Sequence, residues 1–267
     1  MTKGRQAAAR AALGIMALLA ACAACARPLK LAVQPILSEQ ATRRAFTPLA
    51  RYIGHIMGRH CVVAVSPNFL AYWQNMRRPH NYAFVLDAAH FTDFRLTHMG
   101  YHLLVREPGT QSYSLVVRSS EMVFGPSDLI GLPVATLGVP SMGAALLDRL
   151  FPHATRQPIT IDVHDAAQGL ALLKAHKVAA AMIPTSLIGI AMAHGANLNV
   201  VTTTPPVPNV ALSAAPWIAP SARARLRHAL LHTPRGLMHD VGLPRFVAAT
   251  RAQYRGQDRI LKKYWGY

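Results

Sequence analysis

"DLIGLPVATLGVPSMGAALLDRL", residues 128–150, runs from an apolar stretch through a turn into a helical pattern. The short apolar run Pro133–Leu137 predicts a buried strand. Ser141 then stands where a helix N-cap belongs, and apolar residues follow at helical spacing. At such a junction free backbone N–H groups and the positive end of a helix dipole meet, an arrangement that suits phosphate-like oxygens. Gly143 allows close approach of a ligand, and the Ser141 hydroxyl can donate to an oxyanion. The competing reading is a serine that caps its helix and does nothing more.

Outward from this stretch the same alternation recurs. Apolar runs predict strands at Leu29–Val33, Cys61–Val65, Tyr82–Leu86, Tyr101–Val105, Tyr113–Arg118, Pro133–Leu137, Ile159–Val163, Val178–Ile183, Asn199–Thr203 and Val210–Ser213. Leu49, Tyr52, Ile53 and Ile56 carry helical spacing after Thr47-Pro48, read as cap and first helical residue, and Gly58 stops the pattern. Leu170, Leu172, Leu173 and Ala175 form another helical set, with Asp165 as its cap. Alternation of this kind predicts an α/β fold with mostly parallel sheets flanked by helices. Breaks fall at Glu107–Thr110 and Pro205–Asn209. If the chain crosses between two lobes there, residues 29–117 plus 204–267 form lobe 1 and 118–203 form lobe 2, with a ligand cleft between them.

The chain has 267 residues, is 52% hydrophobic and carries a formal charge of +17. That length supports one large domain or two lobes with real cores. The charge favours anionic partners without choosing among a small oxyanion, lipid headgroups and nucleic acid.

The N-terminus narrows the choice. Lys3, Arg5 and Arg10 precede the uncharged run Ala11–Ala21, and Leu19-Ala20-Ala21-Cys22 closes it. This is the pattern of a secretory signal over residues 1–21, too short for a permanent membrane span. Leu-Ala-Ala-Cys resembles the lipobox of bacterial lipoproteins, which makes Cys22 the lipid-bearing residue and 22–28 a tether. The alternative is cleavage after Ala26, giving a soluble periplasmic protein. Loss of Lys3, Arg5 and Arg10 leaves +14. Cys22-x-x-Cys25 lacks the strand-to-helix context of a redox pair, a second ligand pair for zinc, and the following His of a haem attachment. Cys61 reads as a buried strand residue.

Other functions find little support. His98 and His102 are separated by Gly100 at a turn, and His228 and His232 lack a third ligand. No nucleophile elbow and no phosphate-binding Gly-rich Lys-Ser/Thr loop occurs, so neither an enzyme nor an ATPase is expected. "SARARLRHALLHTPR", 221–235, reads as a solvated helix face capped by Ser221. "YRGQDRILKKYWGY", 254–267, reads as a C-terminal helix docked by Tyr264 and Trp265. Export argues against nucleic acid as a partner.

The stretches "LAVQPILSEQATRRAFTPLARYIGHIMG", "NYAFVLDAAHF", "SYSLVVR", "DLIGLPVATLGVPSMGAALL", "HDAAQGLALLKAHKVAAAMIP" and "PPVPN" follow one another in an order that covers most of the chain. It resembles the substrate-binding proteins of phosphate, phosphite and phosphonate ABC transporters, which have the type 2 periplasmic-binding-protein fold. The resemblance implies a monomer without cofactor or metal, whose two lobes close on a small anion for a permease with a separate ATPase. A sensing or scavenging lipoprotein of the same fold with another ligand is the alternative.

It also implies ligand contacts at Tyr113 and Ser114 on the crossing strand and at His164, beside the cap Asp165. Phe69 falls where the family carries a phenol. Two departures bear on the ligand: Asp87 replaces the family's Gly-Pro turn and is expected to face the cleft, and Met142 stands where a Ser or Thr often follows the capping Ser141. Pro184 likewise replaces an acidic residue.

Overall fold

The computed structural model describes residues 27–234, 236–237 and 245–261. The signal, tether residues 22–26 with Cys22 and Cys25, Tyr264 and Trp265 lie outside the described residues. No helix among the described residues is long and apolar enough to cross a membrane.

The chain folds into two lobes, each built on one sheet. β1 (Leu29–Val33), β2 (Cys61–Ala64), β3 (Phe84–Asp87) and β4 (His102–Arg106) run one way in the first sheet. After the excursion into the second lobe, β12 (Ala211–Ala214) returns antiparallel between β3 and β4, and β13 (Val247–Ala248) pairs on the outer edge of β4. The second sheet has the order β10-β6-β9-β7-β8, from β6 (Tyr113–Arg118), β7 (Pro133–Leu137), β8 (Ile159–Val163), β9 (Ala180–Pro184) and β10 (Leu198–Thr203). Only β6 runs against its neighbours there. Two strands of two residues each, β5 (Thr110–Gln111) and β11 (Val207–Pro208), pair antiparallel where the chain passes between the sheets.

Helices cover both sheets. α1 (Glu39–Met57) buries Thr42, Ala45, Phe46, Leu49, Ala50 and Ile53, a stripe at helical spacing. Ser38 caps it by accepting from Ala41 N at 3.2 Å, and Gly58, at φ 63°, ends it. The expected start at Thr47-Pro48 is therefore corrected: Pro48 lies inside the helix. Proline is tolerated there because packing of the long apolar stripe outweighs one lost backbone bond, and Thr47 Oγ1 donates to the Arg43 carbonyl at 2.6 Å.

α2 (Phe69–Met76) and α3 (Ala89–His98) pack together through Phe69, Tyr72 and Trp73 against Phe91, with ring centroids 5.5–6.3 Å apart. α4 (Met142–Leu150), α5 (Ala166–Lys174) and α6 (Thr185–Ala193) belong to the second lobe. In α7 (Pro220–Leu231) the cap is Ala219, not Ser221, because Pro220 takes the first helical position, where its missing N–H is not needed. Leu226 and Leu230 of α7 are buried, and its arginines lie on the polar side. Cys61 is 3% exposed in β2, and burial pushes its thiol up to about 12, so it is inert packing.

Candidate functional site

A cavity of about 430 Å³ opens between the two lobes. Its walls come from the carboxyl ends of strands in both sheets: Gln34 after β1, Ala88 after β3, Glu107 after β4, Leu137 at the end of β7, Asp165 after β8 and Pro184 closing β9. Open α/β sheets gather ligands at this edge because the following helices start there.

Four helix starts border the cavity. Ala88 is the cap of α3, Met142 opens α4, Asp165 to Ala167 cap and open α5, and Pro184 precedes α6. Each start carries the partial positive end of its helix dipole, although Ala144 N is already held by Ser141, Gln168 N by Asp165 and Thr185 N by the Ser112 carbonyl. Among the described residues, no Lys, Arg or His lines the cavity. The first lobe adds Ile36 and Leu37, and the crossing segment adds Gln111 and Val207–Val210, so much of the wall is aliphatic.

The polar groups are few and held in place. Gln34 Oε1 accepts from Ala88 N at 3.0 Å, which fixes the entry to α3. Asn209 Nδ2 donates to Pro108 O at 2.8 Å and Gln111 Nε2 to Ser112 O at 2.7 Å. Asp165 Oδ1 accepts from Gln168 N at 2.8 Å, the expected cap. Burial raises the carboxyl of Glu107 from its ordinary value. Burial pushes the Tyr113 phenol up to about 12, so its hydroxyl stays a donor.

Of the residues anticipated from the sequence, Tyr113 and Met142 line this cavity. Gly143 lies directly beneath: a Cβ there would sit 3.2 Å from Thr136 Oγ1 and 3.6 Å from the Tyr113 ring. Ser141 caps α4 as expected, accepting from Ala144 N at 3.1 Å. Its hydroxyl proton is committed to the Leu137 carbonyl at 2.8 Å and the residue is 1% exposed, so donation to a ligand is corrected to a structural role.

Ser114 is likewise internal. Its Oγ is 2.8 Å from both Thr185 Oγ1 and Thr203 Oγ1, tying β6 to β10 and to the start of α6. Phe69 is 4% exposed and stacked on Phe91, away from the cavity wall. His164 is exposed and outside the wall.

Asp87 requires the largest correction. It does not face the cleft: it is fully buried at the end of β3 and forms an ion pair with Arg95 of α3. Tyr72 Oη donates to it at 2.5 Å, Arg95 Nη2 at 2.7 Å and Thr92 Oγ1 at 3.1 Å. The guanidinium also reaches Ser213 Oγ of β12, 3.1 Å away, so the network bolts α2, α3, β3 and β12 together.

Sequence reasoning named neither Gln34, Glu107, Gln111, Asn209 nor Leu187 as site residues. Gln34 and Asn209 sit inside stretches that carried the resemblance, "LAVQP" and "PPVPN", which was the available signal. One contact also joins the lobes beside the cavity: His90 Nε2 of α3 lies 2.8 Å from the carbonyl of Pro140, just ahead of α4. A carbonyl only accepts, so Nε2 carries the proton, and the buried Nδ1 has no hydrogen-bond partner among the described residues.

A family model described as ABC transporter, phosphonate, periplasmic substrate-binding protein matches residues 31–254. No curated protein matches by sequence. Among solved structures, a Xanthomonas citri protein bound to ATP is 15% identical, with a TM-score of 0.70 over 88% of this chain and 97% of that one. PhnD1 from Prochlorococcus marinus in complex with methylphosphonate is 13% identical, with a TM-score of 0.72 over 87% and 96%. A binding protein component of an ABC phosphonate transporter from Pseudomonas aeruginosa is 12% identical, with a TM-score of 0.69 over 84% and 82%. At these identities the likeness is one of fold.

Proposed function

The chain belongs to the periplasmic phosphonate substrate-binding proteins of ABC transporters, and we propose that it captures a small phosphonate-like oxyanion by closing its lobes and delivers it to an importer. Membership makes it an extracytoplasmic solute-binding protein rather than an enzyme, with a permease and ATPase as the partners its family serves.

The observation that carries the ligand reading is the convergence of four helix starts on a cavity whose described lining holds no cationic side chain. Backbone dipoles favour a negative group without the strongly hydrated charge of a lysine. The Tyr113 hydroxyl adds a donor to that group. Ile36, Leu37, Leu187 and Val210 suit an organic substituent, and the volume exceeds what a bare oxyanion fills. Residues 29–117 plus 204–267 and 118–203 are the two bodies that close, the chain acts as a monomer, and Cys22 bears the lipid.

A thermal-shift screen of ligand-stripped protein tests the reading, using phosphate, phosphite, methylphosphonate, aminophosphonates, sulfonates and carboxylates. A specific ligand at about 100 times its Kd stabilises by about 2.7 kcal/mol. For a chain of this size that raises Tm by roughly 5–10 °C. Tyr113→Ala should lower the response at every concentration. Silence toward all the oxyanions would overturn the phosphonate-type assignment, and an unchanged Tyr113→Ala affinity would remove that residue from the site.

A further inference from the structure

A second cavity, of about 560 Å³, lies on the first lobe among Arg27, Lys30, Arg59, Arg78, His80 and Trp217, where the described chain begins. Arg27, Lys30, Arg59 and Arg78 are all exposed. Among the described residues, no acidic side chain lines the cavity and no carboxylate lies within ion-pair distance of these four. Arg59 Nη2 donates instead to the Arg27 carbonyl at 2.9 Å, which holds the first strand and the α1–β2 turn together as one basic face. Trp217 is 40% exposed beside it, with its ring 4.8 Å from that of His80. Four uncompensated cations rimming an exposed tryptophan do not stabilise the fold by pairing; they complement an anionic surface.

We infer that this face docks on the anionic headgroups of a phospholipid bilayer. Cationic side chains are drawn to such a surface, and tryptophan is favoured at the depth where headgroups meet acyl chains. The position in the chain commits the face to that occupant. Cys22 precedes Arg27 by five residues, a reach of at most about 18 Å when fully extended. A lipid on Cys22 therefore keeps the basic face within contact distance of the membrane. The inference rests on the reading of Cys22 as the lipidated residue for its geometry, and on the patch itself for its affinity.

The test uses the full chain with Cys22→Ser, so that no lipid contributes, in sedimentation with vesicles at low salt. Phosphatidylcholine vesicles register whatever residues 1–26 do alone, and vesicles with added phosphatidylglycerol register the charge. Arg59→Gln with Arg78→Gln should lower the partition onto the anionic vesicles on the order of twentyfold, from about fivefold per cation. A charge-matched pair on the other lobe, Arg156→Gln with Lys177→Gln, should leave it within twofold, and all variants should melt at the same temperature. Equal loss in both pairs would reduce the effect to net charge and overturn the docking face. Saturable binding of inorganic phosphate to the patch without any vesicle sedimentation would make it a small-anion site and overturn it as well. Labelling of the wild-type chain, but not Cys22→Ser, by palmitate tests the tether separately. A negative label removes the tether and its geometric argument, while the vesicle comparison still decides the face.

Discussion

Replacing His90 by Gln should remove a specific part of the protein's sensitivity to acid. Burial, partly offset by the bond to the Pro140 carbonyl and by Asp87 nearby, lowers this imidazole from 6.5 to about 4, with Arg95 adding to the drop. Above about pH 6.5 the ring is neutral in both the folded and the unfolded chain, and its contribution to stability is complete. Between about 6.5 and 4 only the unfolded chain takes the proton, so stability falls as the pH falls. Below about 4 both forms are protonated and the loss levels off. At about 1.4 kcal/mol per pH unit the total is roughly 3 kcal/mol.

Glutamine retains an N–H for Pro140 but does not titrate. Urea unfolding at intervals from pH 7.5 to 4 measures both proteins, and the wild type should lose roughly 3 kcal/mol more than His90→Gln over the window. Burial raises Glu107, Asp93 and Asp162, and these carboxyls are present in both proteins, so the difference isolates His90. Parallel curves would show that the imidazole is hydrated or charged in the folded state and would refute the buried neutral contact between the lobes.

Asp87→Asn should destabilise the protein by about 3–5 kcal/mol, because the Arg95 guanidinium is left buried without its counter-ion. The affinity of the folded fraction should not change; a stable variant that has lost ligand binding would return Asp87 to the site. Gly54→Ala places a Cβ 2.8 Å from the Arg59 carbonyl oxygen and 3.1 Å from Cys61 N, so α1 must shift away from β2. Denaturant unfolding should show a loss of about 1–3 kcal/mol, and neutrality would mean that the α1–β2 packing is looser than described.

Much of the framework was legible because strands buried on both faces must be written as short apolar runs, as in Phe84-Val85-Leu86 and Leu115-Val116-Val117. The caps Ser141 and Asp165 were visible for a local reason, since each accepts from an N–H three residues ahead. The two-residue strands β5, β11 and β13 were not, because their pairing is set by partners far along the chain. The N-terminal half of α1 was hidden by Pro48, whose local preference is overridden by a stripe of tertiary contacts.

At the site, residue type was readable and direction was not. Asp87 was identified as a carboxylate after a strand, but Arg95 lies one helix on and Ser213 lies 126 positions away, so nothing local announced that they would enclose it. The Ser141 hydroxyl was similarly readable as a donor, while its acceptor, the Leu137 carbonyl, belongs to the backbone and leaves no mark in the sequence.

The pairing of Gln111 with Val207 and of Thr110 with Pro208 governs how one lobe can travel relative to the other. Two separate threads would permit rotation in any sense. A hydrogen-bonded double strap bends across its flat side, but twisting or sliding along its length would break its register. On the proposed closure, the paired crossings would favour bending of the strap over twisting between its strands, so the hinge would be a ribbon rather than two independent cords.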